Sequence, residues 1–266
     1  MTKTYKLILW CVLVAITSFW MWAGVQVWLR GSLFDIQNTT NLTITSVLFL
    51  ALLALLSVGI VVFQNRLRGI YLGIIVSVTY SLLFKVSNLN LVGIFLLILL
   101  FYHAQDLVHG EMSERFKINS RVFLRKGLMN FVIAFFVLTS FAAYQSPAIE
   151  EFKNIQKLPS SSQIFIKTVV EQSLGGQLQE AGAQQKELVL NQVTQEVVKE
   201  ANLFLEPYFQ YAPPALAFGL FLILWSVGWI FVWLAVFLGM FIFWVLKKIK
   251  FFKMEEYDAK AERIVI

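Results

Sequence analysis

The chain alternates between long runs free of Asp, Glu, Lys and Arg and shorter segments where those residues concentrate. A bilayer core of about 30 Å is crossed by roughly 20 helical residues at about 1.5 Å each. Six charge-free windows of that order occur: residues 7–29, 42–63, 69–84, 89–104, 127–144 and 215–246. The pattern predicts an all-α polytopic membrane protein with about six transmembrane helices. The third and fourth windows hold 16 residues each, which is about 24 Å of helix. They therefore need snorkelling of Lys85, local thinning or shielding by neighbouring helices, or else they form a re-entrant hairpin. The sixth window, at 32 residues, is longer than a bilayer requires and is expected to tilt or to project beyond it.

Between the fifth and sixth windows, residues 145–214 carry 8 acidic and 5 basic side chains, enough polarity for a water-exposed unit. Its pattern predicts a helical insertion. Ser160, Ser161 and Ser162 offer an N-cap for a helix over 163–174, Gly175 and Gly176 break it, and a second helix runs from 177 to about 206, before Pro207. In that second helix Leu190, Val193, Val197, Ala201 and Phe204 recur at spacings of 3, 4, 4 and 3, so they form one apolar stripe. The stripe must bury against something, because an amphipathic helix is stabilised chiefly by tertiary contact. The preferred partner is the shorter helix of the same segment or a further copy of the chain. The sharper alternative is a docking face for a separate partner. A helix lying on the outer leaflet is disfavoured by the few basic residues.

Composition removes the soluble alternative. Only 38 of 266 residues are charged (14%), 58% are hydrophobic and the mean hydropathy is +0.71, so excess apolar surface must face lipid. If the N-terminus is cytoplasmic, 15 Lys and Arg fall on inner segments and 7 on outer ones, five of the seven in the long 145–214 segment. Because cytoplasmic loops are enriched in Lys and Arg, both termini are expected to be cytoplasmic and 145–214 extracytoplasmic, in a cell or inner membrane. The expected organisation is a five-span bundle over 1–144 with a cytoplasmic loop at 105–126, the outer segment 145–214, a long span 215–246 and a basic tail 247–266. Lys3 and Lys6 before an apolar run imitate a secretory signal, but the 23 uncharged residues of 7–29 and the lack of a clear small-x-small site favour a retained span. Cys11 is the single cysteine, so no intramolecular disulfide or thiolate metal site is expected.

Gly69, Gly73, Ser77 and Ser81 follow at i+4 steps through the third window. Such small residues let two backbones approach in lipid, where no hydrophobic drive brings helices together; packing within the bundle is preferred to homodimerisation. Gly228, Ala235 and Gly239 form a looser small face on the last span, beside Trp225, Trp229 and Trp233. Three Trp in mid-segment point to protein packing or a strongly tilted helix rather than a cation cage.

Lys247, Lys248, Lys250 and Lys253, interleaved with Ile249, Phe251 and Phe252, make a basic collar suited to anionic lipid headgroups. His103, Asp106, His109, Glu111 and Glu114 cluster after the fourth window, but the histidines are six apart rather than four and Gly110 would break the helix, so a solvated loop is preferred to a metal site. Gln26, Thr79, Asn88, Asn90 and Asn130 are the polar groups of the spans, read as caps and interhelical hydrogen bonds rather than as the lining of a path. The near absence of ionisable groups within the spans lowers the odds of a coupled transporter.

No catalytic motif appears. Neither an enzyme nor a cofactor is expected. The expected role is a non-enzymatic subunit or scaffold of a membrane or envelope complex, with a channel or small-solute transporter component as the alternative. Expected partners are the anionic inner leaflet and a further copy or another membrane protein; nucleic acid is not expected.

Overall fold

A computed structural model describes residues 3–30, 39–63, 66–114, 119–147, 149, 168–169, 183–209 and 211–252. Its long elements are helices α1 (Lys3–Arg30), α2 (Thr39–Val62), α3 (Arg66–Leu83), α4 (Asn88–Glu114), α5 (Ser120–Tyr144), α6 (Ala183–Phe209) and α7 (Ala212–Lys248). Among the described residues there is no strand. Five helices, α1, α2, α4, α5 and α7, are long and apolar enough to cross a membrane, and α3 adds the shorter apolar stretch Gly69–Leu83. The protein is an all-α polytopic membrane protein.

The chain forms two compact units, Met1–Ala143 with Phe218–Ile266, and Tyr144–Ala217. In the first, contacts at matched positions set the direction of each helix. Gly24 meets Thr45, while Trp10 meets Gly59 and Phe63, so α1 and α2 are antiparallel. Ser18 pairs with Thr79 and Gln26 with the Leu83 carbonyl, so α1 and α3 are parallel. Gly69 faces Gln105 and Gly73 faces Phe101 in an antiparallel α3–α4 pair. Gly93 approaches Leu138 while Gly127 approaches Ala104, closing α4 on α5. Gly239 meets Leu124 and Gly228 meets Val132 and Phe136, so α7 runs antiparallel to α5.

Within their most apolar windows 67% of α2 and of α5 is buried, against 33% for α1 and α4 and 28% for α7. Thus α2 and α5 are the inner helices. The centre is aromatic: Trp22, Tyr80, Phe101, Phe131 and Phe135 are all under 2% exposed. Trp22 packs edge-on against Tyr80 at 4.9 Å and lies 5.5 Å from Phe135, and Phe101 lies 4.4 Å from Phe131 between ring centroids. Rings at such separations add dispersion and quadrupole attraction, which matters where lipid tails remove the hydrophobic drive between helices.

Three sequence expectations change. α4 continues through Gly110 to Glu114, so the fourth span has 27 residues rather than 16 and is not short. A Cβ added at Gly110 would meet nothing within 4 Å; this glycine costs only its helix propensity, about 1 kcal/mol, which packing of Ala104, Gln105 and Val108 outweighs. The expected loop at 105–126 is accordingly helical over 105–114 and 120–126. In the second unit, α6 continues past Pro207 to Phe209; Pro207 has no N–H to give to the turn before it, and the helix extends only two residues further. The helix expected at 163–174, its serine cap and the Gly175–Gly176 break lie outside the described residues, as do residues 177–182.

Candidate functional site

The chemistry of this chain lies in its polar contacts between helices, its basic end and the face of α6. In the bundle, Tyr80 donates its hydroxyl to Asn90 Oδ1 at 2.9 Å, and Asn90 Nδ2 donates to the Lys85 carbonyl at 2.6 Å. The Asn90 backbone N–H also reaches Ser87 Oγ at 3.2 Å. One side chain thereby fastens α3 to α4 and closes the turn between them. Ser18 and Thr79 share a 2.7 Å hydrogen bond across α1 and α3, and Gln26 Nε2 donates to the Leu83 carbonyl at 2.5 Å. Three polar groups of the spans, Gln26, Thr79 and Asn90, are thus engaged in contacts between helices or at helix ends.

The small-residue faces sit at close approaches. A Cβ on Gly69 would lie 2.8 Å from Gln105 Cβ and 3.1 Å from the Phe101 carbonyl oxygen, whereas one on Gly73 would make ordinary contact with Phe101. Ser77 and Ser81 return their hydroxyls to their own helix, to the Gly73 and Ser77 carbonyls at 2.8 and 2.9 Å. On α7, Ala235 is fully buried, Gly228 faces Val132 and Phe136, and Gly239 faces Ser57 and Leu124. Trp225, Trp229 and Trp233 are all exposed on the outside of α7, in line with Leu222, Phe237 and Phe241. They face the surroundings of the bundle rather than its interior.

α1 begins, α2 ends, α5 begins and α7 ends at one end of the bundle, and that end is basic. Lys247, Lys248 and Lys250 are exposed there; Lys253 lies outside the described residues. α7 stops in a Schellman arrangement: Phe251 N–H donates to the Leu246 carbonyl at 2.9 Å and Lys250 N–H to the Lys247 carbonyl at 3.1 Å. Lys250 occupies the left-handed position with φ 57°, where glycine is usual. Lys6 Nζ donates to the Phe251 carbonyl at 2.6 Å and lies 5.2 Å over the Phe251 ring, which in turn packs 6.4 Å from Trp10. The two ends of the bundle chain are therefore locked together, a contact between residues 245 apart in sequence. Lys126 pairs with Glu111 at 3.0 Å.

His103, Asp106 and Glu114 are exposed on α4, His109 is half-buried and Glu111 is held by Lys126. Among the described residues no three His, Cys, Asp or Glu side chains gather closely enough to hold a metal ion.

In the second unit the α6 stripe is unevenly covered. Leu190 is buried, Val193 and Ala201 are half-buried, but Val197 is 40% and Phe204 73% exposed, with Leu203 beside it at 56%. The C-terminal half of the stripe thus has two exposed large apolar side chains, Val197 and Phe204, with the exposed Leu203 next to it around the helix.

Sequence reasoning missed Lys6 with Phe251, and Arg121 and Arg125, whose guanidiniums both lie 5.7 Å from the Trp233 ring. For the arginines a signal existed: two cations at i and i+4 on one face of a span's first turns.

No family model matches the chain, and neither a curated protein nor a solved structure matches it at a significant level.

Proposed function

We propose that this multi-pass membrane protein is a non-enzymatic subunit or scaffold of a membrane or envelope complex, acting through protein contacts made by α6. In this reading both termini and the basic end are cytoplasmic, and segment 145–214, joined to the C-terminus of α5 and the N-terminus of α7, is extracytoplasmic. The positive-inside bias of Lys and Arg supports that orientation.

The observation that carries the role is the exposed end of the α6 stripe, with Val197 40% and Phe204 73% exposed. Val197 and Phe204, seven residues apart and so on one side of a polar helix, lose about 25 cal/mol per Å² by remaining in water, and a protein partner removes that cost. Against the channel alternative, the bundle centre is filled by Trp22, Tyr80, Phe101, Phe131 and Phe135, and Gln26, Thr79 and Asn90 are engaged in hydrogen bonds within the bundle.

Detergent-extracted chain should migrate as an assembly with itself or a co-purifying protein. Val197→Asp should lower the assembled fraction at least tenfold, since burying a carboxylate in an apolar contact costs more than the roughly 1.4 kcal/mol that a tenfold change represents. An unchanged unfolding midpoint would show that the bundle is intact. A wild-type chain that runs as a single copy, indistinguishable from the variant, would contradict the reading.

A further inference from the structure

Arg121 and Arg125 stand one turn apart in the first turns of α5, both exposed, and converge on one indole: each guanidinium carbon lies 5.7 Å from the centre of the Trp233 ring. With Val232 and Val236 they line a shallow cleft between α5 and α7. Neither arginine has a carboxylate partner among the described residues. The nearby acid on α4, Glu111, is paired with Lys126 at 3.0 Å. The cleft opens onto the outer face of α7, where Trp229, Trp233 and Phe237 are 62%, 43% and 58% exposed. That face belongs to a membrane span, so it borders lipid.

Two cations at such a boundary need an anion. A guanidinium stacked on an indole keeps its in-plane N–H donors free, is weakly hydrated, and matches the paired oxygens of a phosphate. The positive end of the α5 dipole adds to the attraction. Lys247, Lys248 and Lys250 lie beyond this level, toward the end of α7, and attract an anionic surface diffusely; the arginine pair has the fixed geometry of a discrete site.

We propose that Arg121, Arg125 and Trp233 form a binding site for the phosphate of an anionic phospholipid at the basic end of the bundle, its acyl chains lying along the aromatic face of α7. The site rests on the membrane-spanning bundle alone and is independent of the role given to α6.

Native mass spectrometry of the full chain in mixed micelles tests this with dioleoylphosphatidylglycerol, dioleoylphosphatidylcholine and glycerol 3-phosphate as probes. The wild type should retain one phosphatidylglycerol in preference to phosphatidylcholine. Retention should fall at least tenfold in R121Q/R125Q, partly in R121K/R125K and severalfold in W233L, which keeps both charges, while K247Q/K248Q should retain it. Equal retention by R121Q/R125Q and wild type overturns the site. An equal loss in K247Q/K248Q also overturns it, by making the attraction diffuse. Saturable glycerol 3-phosphate binding that displaces the phospholipid would overturn the lipid assignment. Should R121Q/R125Q fail to fold, W233L and R121K/R125K decide: wild-type retention in both contradicts the proposal.

Discussion

Replacing Gly69 by Leu is expected to destabilise the solubilised chain by about 3 kcal/mol, at the upper end of what overpacking costs. The first atom of the new side chain would lie 2.8 Å from Gln105 Cβ and 3.1 Å from the Phe101 backbone oxygen. Gln105 Cβ and the Phe101 carbonyl are both fixed by the α4 backbone and cannot turn away, so α3 and α4 must separate. Leu is a better helix former than Gly by about 1 kcal/mol, which offsets part of the cost without reversing it. Separation also pulls on Tyr80, whose hydroxyl reaches Asn90 across the same pair of helices. Gly219→Leu is the control, since a Cβ there meets nothing within 4 Å, and it should be neutral or slightly stabilising. Thermal unfolding in detergent should show a midpoint about 6–12 °C lower for the Gly69 variant. Equal midpoints for the two variants would contradict the close α3–α4 contact.

Asn90→Leu carries the second large effect, a loss of about 2–3 kcal/mol. The side chain is 3% exposed and holds the Tyr80 hydroxyl at 2.9 Å and the Lys85 carbonyl at 2.6 Å. Membrane hydrogen bonds average only about 0.6 kcal/mol each, so most of the loss comes from partners left buried: an unsatisfied polar group costs about 1–3 kcal/mol. Tyr80 retains only a long contact of 3.5 Å to the Leu138 carbonyl. Removing the hydroxyl as well, in Tyr80→Phe with Asn90→Leu, should therefore recover part of the stability. Strict additivity of the two single losses in a double-mutant cycle would show that the pair is not coupled.

How much of this was legible depended on the range of the interaction. The spans follow from a local property, the absence of charge over about 20 residues; α1, α4, α5 and α7 each contain their predicted window, and α2 contains all of its window but Phe63. Their ends were less legible, because a helix does not stop where lipid stops. Gln105, Asp106 and His109 extend α4 well past its apolar window, and backbone hydrogen bonding continues through Gly110 since nothing there opposes it. Similarly, the polar Ser120, Arg121 and Arg125 belong to α5 although no charge-free window includes them.

The small residues at Gly69, Gly73, Gly228 and Gly239 were visible as i+4 or longer spacings, but which helix each faces is a tertiary fact. The same holds for tryptophan. Trp22 is fully buried in the aromatic centre while Trp229 is 62% exposed, and both stand in apolar runs of similar composition. Contacts across the chain were the least legible: Lys6 on the Phe251 carbonyl left no local trace, and the i, i+4 spacing of Arg121 and Arg125 marked a shared face without naming the α7 indole they meet. For α6 the stripe was readable by period, whereas the exposure of Val197 and Phe204 beside the burial of Leu190 required the fold.

The proposed topology puts the cytoplasmic loop after α4 on one side of the membrane and segment 145–214 on the other. Single cysteines at Glu114, in the last turn of α4, and at Gln195, exposed on α6, test it in intact membranes of a Cys11→Ser background with a membrane-impermeant maleimide. The two positions should be labelled from opposite sides, with the α6 cysteine reached from outside. Labelling of both from the same side would contradict it.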